Sequence, residues 1–362
     1  MHVRTLWLTD FRNYASAEVA LAPGLTALVG ANGEGKSNLL EALAWLATLS
    51  SFRGAPTDAL VRTGAPYAVV RADAERDGRD VLLEAQLQPN GRNRVQVNRQ
   101  ALRRSRDLLG YLRATVFAPD DLDIVKGGPG ERRRYLDEVL VALHPRNDAL
   151  RSDVERIIRQ RTALLKQCGG RLDEGAAFTL DVWDAKLADA GEALAGARAD
   201  LLTRMQPELA ATYDALAREP ALARAGYEAP WRAVGLAEAL ARARADDVRR
   251  GVCTVGPHRD EVQLSIADAP ARTHASQGEQ RTLALALRLA AHHVVTAETG
   301  TPPVLLLDDV FSELDPDRSA ALLANLPTGQ TLLTTASGLP PAAEPDVVLR
   351  VAGGTVAPVG RG

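Results

Sequence analysis

The chain has 362 residues, 46% of them hydrophobic and 25% charged, enough apolar material for one large domain or two moderate ones. A net charge of −3 excludes a protein that is basic overall, so any surface for a polyanion has to be local. Cys168 and Cys253 stand far apart without metal-ligand spacing, and no apolar run reaches the roughly 18 residues that a membrane span needs. The opening MHVRTLWLTDFRNY lacks the apolar centre of a secretory leader, so the expectation is a cytoplasmic protein with reduced thiols and no membrane partner. Basic residues are almost all Arg; Lys occurs only as Lys36, Lys126, Lys166 and Lys186.

In chain order, Val3, Leu6 and Leu8 predict a first strand, and the short apolar run 25-LTALVG-30 predicts a second, buried in a central sheet. It feeds 30-GANGEGKS-37 and then 38-NLLEALAWLA-47, a predicted helix. Strand, glycine-rich turn and helix are the setting in which G-x-x-x-x-G-K-S is a P-loop. The loop from Gly30 through Ala31, Asn32, Gly33, Glu34 and Gly35, with Asn38 just beyond it, is expected to curl around phosphate oxygens. Lys36 would neutralise their charge, and the Ser37 hydroxyl would ligate Mg²⁺. These residues predict nucleotide binding.

Arg92, Arg94, Arg99, Arg103, Arg104 and Arg106 follow without an intervening acid. Such a cluster supplies sequence-independent phosphate contacts, which makes the six candidate DNA ligands; a solvated face in an Arg-biased chain accounts for it equally. A second cluster, Arg132 to Arg134, precedes Tyr135 and Leu136, which favour a helix with one buried side. Much of 131–250 reads as helical, with a heptad-like seam at Trp183, Leu187, Leu194 and Leu201. Breaks are expected at Pro145, Cys168 to Gly170, Pro207, Pro220 and Pro230, which predicts a short helical arm. The run 256-GPHRDE-261 is either a turn out of that arm or a surface for DNA or a partner.

In 274-HASQGEQRTLALALRLAAHH-293, Ser276 and Glu279 have capping-box spacing ahead of Leu283 and Leu287 at helical intervals. Gly278 leaves room for a close approach to a helix N-terminus that favours an anion, yet no phosphate loop is near in sequence. The strand 304-VLLLDD-309 ends in two carboxylates. Asp308 suits the Mg²⁺ partner of a P-loop hydroxyl, and Asp309 would hold a water in line with a γ-phosphate. Residues 312-SELD-315 run into a turn at Pro316.

This motif order resembles that of ABC-type ATPases, and SQGEQ is similar to their signature, with Ser276, Gly278 and Gln280 matching its Ser, second Gly and Gln. That resemblance implies two heads face to face as a homodimer with ATP, each signature capping the γ-phosphate held by the opposite P-loop. Along essentially its whole length the chain further resembles the bacterial RecF family of DNA-repair ATPases. The resemblance is carried by 10-DFRNY-14, the P-loop, 117-FAPDDLDIVKGGPGERRRYLD-137, 256-GPHRDE-261, 276-SQGEQRTLALALRLA-290 and 305-LLLDDVFSELD-315. It implies an α/β fold, with an ABC-type ATPase head at 1–115 and 251–362 and an inserted helical arm at 116–250. It also implies ATP and Mg²⁺ as cofactors, Arg12 and Asn13 in the nucleotide pocket, and weak DNA-stimulated hydrolysis through Lys36 and Asp309, with Glu313 the alternative base. The partners it implies are DNA, RecO and RecR, in loading RecA at gaps.

The rival reading is the motor subunit of a membrane transporter. Against it, Asp309 stands where transporters carry Glu, and 331-TLLTTAS-337 has no switch His. The arm is also too short for the long coiled coil of SMC proteins, since about 30 helical residues span only about 45 Å.

Overall fold

The computed structural model describes residues 1–217, 219 and 221–359. The chain forms two compact units, one from Met1–Leu122, Glu208–Leu222 and Ser276–Gly362, the other from Asp123–Pro207 and Ala223–Ala275.

The first unit opens with the antiparallel strands β1 (His2–Phe11) and β2 (Tyr14–Ala20), followed by β3 (Leu25–Val29). The glycine loop then leads into α1 (Lys36–Thr48) and a single turn, α2 (Thr57–Leu60). Strands β4 (Ala68–Arg76), β5 (Arg79–Leu87), β6 (Arg94–Val97) and β7 (Gln100–Ala101) complete an antiparallel sheet of order β2-β1-β4-β5-β6-β7. Val3 and Leu6 are both buried, although strict alternation would put them on opposite faces. A register shift against β4 between Val3 and Thr5 returns both to the core. β8 (Ala114–Phe117) ends this stretch.

The second unit continues through α3 (Leu122–Lys126), α4 (Pro129–Leu143), α5 (Arg146–Gln167) and α6 (Glu174–Leu216), whose residues from Glu208 onward belong to the first unit. It closes with β9 (Ala223–Glu228), α7 (Leu236–Arg250), β10 (Glu261–Ile266), β11 (Ala269–Pro270) and α8 (Ala271–His274). β9, β10 and β11 form a small antiparallel sheet. The seam residues Leu187, Leu194 and Leu201 are buried. Three buried arginines pin this unit: Arg161 between Asp184 and Asp247, Arg198 on Asp137, and Arg132 on Glu261.

The chain then returns to the first unit as α9 (Gln277–Thr299), β12 (Val304–Leu307), α10 (Pro316–Ala324), β13 (Thr331–Thr335), β14 (Val347–Ala352) and β15 (Thr355–Pro358). The second sheet has order β15-β14-β3-β13-β12-β8, parallel throughout except at β15. α1 packs on β8 and β13 of this sheet and on β1, β4 and β5 of the other. Leu39, Leu40, Leu43, Trp45 and Leu46 are all buried, so the helix is apolar on every side, as a helix between two sheets must be.

Two sequence expectations meet a different geometry. A head–arm division at 115/116 would cut through β8, whose pairing with β12 ties it to the parallel sheet. A division at 250/251 would separate β10 from β9, whereas residues 251–275 stay with the second unit. The break expected at Pro207 does not occur. Pro207 lies inside α6, whose 43 residues span roughly 65 Å and tolerate the loss of one backbone bond. The break expected at Pro220 falls outside the described residues.

His292 on α9 is buried, with Nδ1 3.1 Å from the Thr115 hydroxyl on β8. Burial lowers its pKa to about 4 from an ordinary value of 6.5. The unfolded chain therefore takes up a proton near pH 6.5 that the folded chain refuses. The stability this contributes is complete above pH 6.5 and is lost as pH falls from there toward 4. In denaturant titrations, His292→Gln is expected to flatten the stability loss between pH 6.5 and 4.5, by up to about 1.4 kcal/mol per pH unit. An unchanged slope would mean that His292 is protonated in the folded chain.

Candidate nucleotide site and signature helix

The site begins where β3 ends. Gly35 caps α1 at φ 111° with no side-chain cap, so the first helical N–H groups face outward from a left-handed turn. A Cβ on Gly35 would lie 2.6 Å from the Asn13 amide and 2.9 Å from the Tyr14 hydroxyl, so the turn from β1 into β2 closes over the loop. Tyr14 Oη donates to Gly35 O at 3.0 Å, and Asn13 Nδ2 donates to Glu34 O at 2.9 Å. Asn38 Nδ2 donates to Asn13 Oδ1 at 2.8 Å. The Lys36 ammonium bends back to donate to Gly30 O and Ala31 O, both at 2.8 Å, so it is already held at the mouth of the loop.

Strand order brings in the acidic end. β13 lies between β3 and β12, so Asp308, just after β12, reaches Ser37 past a residue of the intervening strand. Ser37 Oγ donates to Asp308 Oδ1 at 2.7 Å, and Thr334 Oγ1 donates to the same oxygen at 2.8 Å. Burial pushes the Asp308 carboxyl up, a penalty that a bound cation would reverse. A hydroxyl and a carboxylate oxygen in contact are two hard donors side by side. That suits Mg²⁺, which takes one or two carboxylates and leaves its other positions to phosphate and water. Among the described residues no cluster of three His, Cys, Asp or Glu forms a metal cage, so Ser37 and Asp308 are the fit.

Asp309 has φ 50°, a left-handed conformation that costs a non-glycine residue on the order of 1 kcal/mol. Its N–H donates to Thr334 Oγ1 at 2.9 Å, while its buried Oδ1 has no hydrogen-bond partner. Glu313 lies outside the cleft lining, and its carboxylate is 3.3 Å from Arg281 Nε.

Arg12, Asn13, Asn32, Gly33, Gly35, Lys36, Ser37, Asn38 and Asp309 line one cleft of ≈ 590 Å³. Gly30 and Ala31 contribute the carbonyls that hold Lys36. Arg12 is fixed by two 2.7 Å bonds to the buried Glu41 and one of 3.0 Å to Ala59 O. Glu34 directs its carboxylate to the N–H of Gly353, away from the loop's centre. Arg53, Ala59, Val61, Thr63 and Thr334, which belong to none of the sequence motifs, also line the cleft. Only Thr334 carried a signal, as a hydroxyl on the strand that separates the two motifs.

Ser276, Gly278 and Gln280 do not line this cleft. Ser276 is exposed and caps α9, accepting from Glu279 N at 3.3 Å and donating its own N–H to the Glu279 carboxylate at 2.7 Å. The bond to Ser276 holds the Glu279 carboxyl below its usual range. Gln280 is buried. Elsewhere the arginines divide. Arg92, Arg94, Arg99, Arg103, Arg104 and Arg106 are exposed around β6 and β7. Arg132 and Arg133 are instead consumed by Glu261 and by Asp260 O. Asp260 in turn takes 2.6 Å bonds from Tyr227 and Trp231, so GPHRDE is a structural knot of the second unit.

A strand, a glycine loop with Lys and Ser, and an aspartate pair two strands away define a P-loop nucleotide-binding head with an ABC-like signature helix. Residues 2–335 match the RecF/RecN/SMC N terminal domain. The DNA replication and repair protein RecF of Streptomyces avermitilis is 46% identical over 352 residues, covering 93% of this chain and 94% of that protein. The protein of the same description from Kineococcus radiotolerans is 44% identical over 363 residues, covering 93% of each. A solved structure of the recombination mediator protein RecF-ATPrS in the RecFOR pathway superposes with a TM-score of 0.90 at 28% identity, covering 99% of this chain and 98% of that one. The Smc head bound to the C-winged helix domain of ScpA, at 19% identity and a TM-score of 0.60, shares the fold. The chain belongs to the RecF family. No helix among the described residues is long and apolar enough to cross a membrane.

Asp308→Asn removes a carboxylate charge but keeps a group that Ser37 and Thr334 can bond. Magnesium titrations of nucleotide binding should then need about tenfold more Mg²⁺, with a melting temperature close to that of the unmodified chain. Lys36→Met should weaken nucleotide binding at every Mg²⁺ concentration. An unshifted Mg²⁺ requirement in Asp308→Asn would remove Asp308 from the metal site.

Proposed function

We propose that this protein is an ATP-dependent DNA-binding protein of recombinational repair, whose two copies close head to head on ATP. The observation that carries the reading is that Ser276, Gly278 and Gln280 stand apart from their own chain's cleft. This supports a signature cap that serves the nucleotide of a second copy. The names of the similar proteins, DNA replication and repair protein and recombination mediator of the RecFOR pathway, support the repair role and RecO and RecR as partners, and loading RecA is the task we propose for them together.

The cleft's residues divide the work. Lys36 leaves the carbonyls of Gly30 and Ala31 to meet the phosphates as a point charge. Ser37 and Asp308 would hold Mg²⁺, which offsets charge on the β- and γ-phosphate oxygens. Asp309, which lines the cleft and has one buried oxygen without a hydrogen-bond partner, orients a water and takes its proton. Hydrolysis is slow, stimulated by DNA, and releases the closed pair. The six arginines around β6 and β7 meet the DNA backbone without reading sequence. Among the described residues they lack acidic partners, as does Arg79 at the start of β5, whereas Arg4, Arg71 and Arg76 of the same sheet are each paired with a carboxylate.

Ser276→Arg should leave ATP affinity intact and abolish ATP-dependent dimers in sedimentation, with only a small loss in stability from the cap, about 1 kcal/mol. Mixing it with Lys36→Met chains yields heterodimers with one site carrying both defects and one carrying neither. Partial recovery of hydrolysis in the mixture is the expected result. Dimers of Ser276→Arg at the unmodified affinity would sink the two-copy reading.

Alanine at Arg94, Arg103 and Arg104 together should weaken binding to duplexes of unrelated sequence alike. If all three meet phosphates, the slope of log K against log salt should fall by about 0.9 for each. An unchanged slope would return these residues to a merely solvated face.

A further inference from the structure

Gly278, in the first turn of α9, is glycine for a reason found within its own chain. A Cβ there would lie 2.4 Å from Arg318 Nη1 and 2.9 Å from Nη2, so the guanidinium fills the space where a side chain would stand. Arg318 comes from α10, one turn after 312-SELD-315. Its Nη1 donates to Asp315 Oδ2 at 3.1 Å, while Asp315 also caps α10 by accepting from Arg318 N at 3.0 Å. Arg318 Nε is buried without a hydrogen-bond partner, so the group is held by fit against Gly278, by its bond to Asp315 and by the nearby charge of Glu279. A second link runs the other way: Arg281 of α9 donates to Glu313 O at 3.2 Å. The first turn of α9 is thus clasped to the segment that follows the aspartate pair.

We propose that Arg318 is a positioning residue for the signature site. Its guanidinium, seated in the Gly278 slot, sets where Ser276 and the first turn of α9 stand when a second copy's nucleotide arrives. The inference rests on the two-copy reading above. A planar group suits the slot because it lies flat against a bare backbone and keeps its Asp315 bond, which the single charge of a lysine does only in part. Alanine at 278 evicts the guanidinium at little cost to folding, since only the end of a flexible side chain has to move.

The test is a double-mutant cycle on the full chain with Arg318→Ala, Gly278→Ala and the pair, plus Arg318→Lys. Each variant is measured for affinity for a fluorescent ATP analogue, for ATP-dependent dimerisation and for melting temperature. Each single variant should weaken the dimer about tenfold while nucleotide affinity and melting temperature stay near those of the unmodified chain. The pair should be no worse than either single variant, because both remove the same contact. Arg318→Lys should recover part of the loss. If the pair's defects add, Gly278 serves only the approach of the partner and the role of Arg318 is overturned. Arg318→Ala dimers of normal affinity, beside a Ser276→Arg chain that does not dimerise, overturn the inference while the two-copy reading stands. If Ser276→Arg dimerises normally as well, the two-copy reading itself has failed. A parallel loss of nucleotide affinity and melting temperature in Arg318→Ala would make the residue simply structural.

Discussion

Three oxygens organise the head: the Ser37 hydroxyl, one oxygen of Asp308 and the Thr334 hydroxyl, in contact at 2.7 and 2.8 Å. They come from α1, the end of β12 and β13, and only the parallel order β3-β13-β12 brings them together. A buried carboxylate without partners would cost several kcal/mol, so the two hydroxyls make the arrangement tolerable while they leave room for a cation. The same constraint shapes the neighbourhood. Asp309 is forced into the left-handed region as the chain turns off β12, and that turn leaves one of its oxygens buried and unpaired beside the cleft.

The demand for a fixed loop extends outward from α1. Packed between two sheets, α1 has little freedom to shift, and Glu41, fully buried on it, is satisfied by the Arg12 guanidinium and the Ser51 hydroxyl. Losing one member of such a pair costs about 3–5 kcal/mol because the other charge is left buried. Arg12 therefore serves the scaffold with its guanidinium while it also forms part of the cleft wall. The two roles do not compete, since Glu41 and Ala59 O occupy its donors from behind.

Arginine is put to two physical uses in this chain. In the second unit Arg132, Arg161 and Arg198 are buried and tied to Glu261, Asp184, Asp247 and Asp137, where planar forks hold helices and a small sheet in register. Around β6 and β7 the arginines are exposed and form no ion pair among the described residues; a polyanion is the partner we propose for them. Composition alone does not separate these uses, because an Arg-rich run looks the same whether its partners are in the chain or outside it.

Much of the site was legible in order and spacing. The P-loop depends on consecutive residues, so 30-GANGEGKS-37 fixed its own chemistry, and the capping box of Ser276 and Glu279 is equally local. The end of an apolar strand marked Asp308 for the same reason. The sequence also placed a capped helix N-terminus at Ser276 with no phosphate loop near it in the chain. Tertiary structure alone decided what depends on residues far apart in the chain. It selected Thr334 as the bridge, pointed Glu34 at Gly353, placed 251–275 with the arm rather than the head, and turned GPHRDE into an internal knot. It also filled the Gly278 slot with Arg318, a contact between two helices that no local pattern encodes, because side-chain space is shared only once the chain has folded.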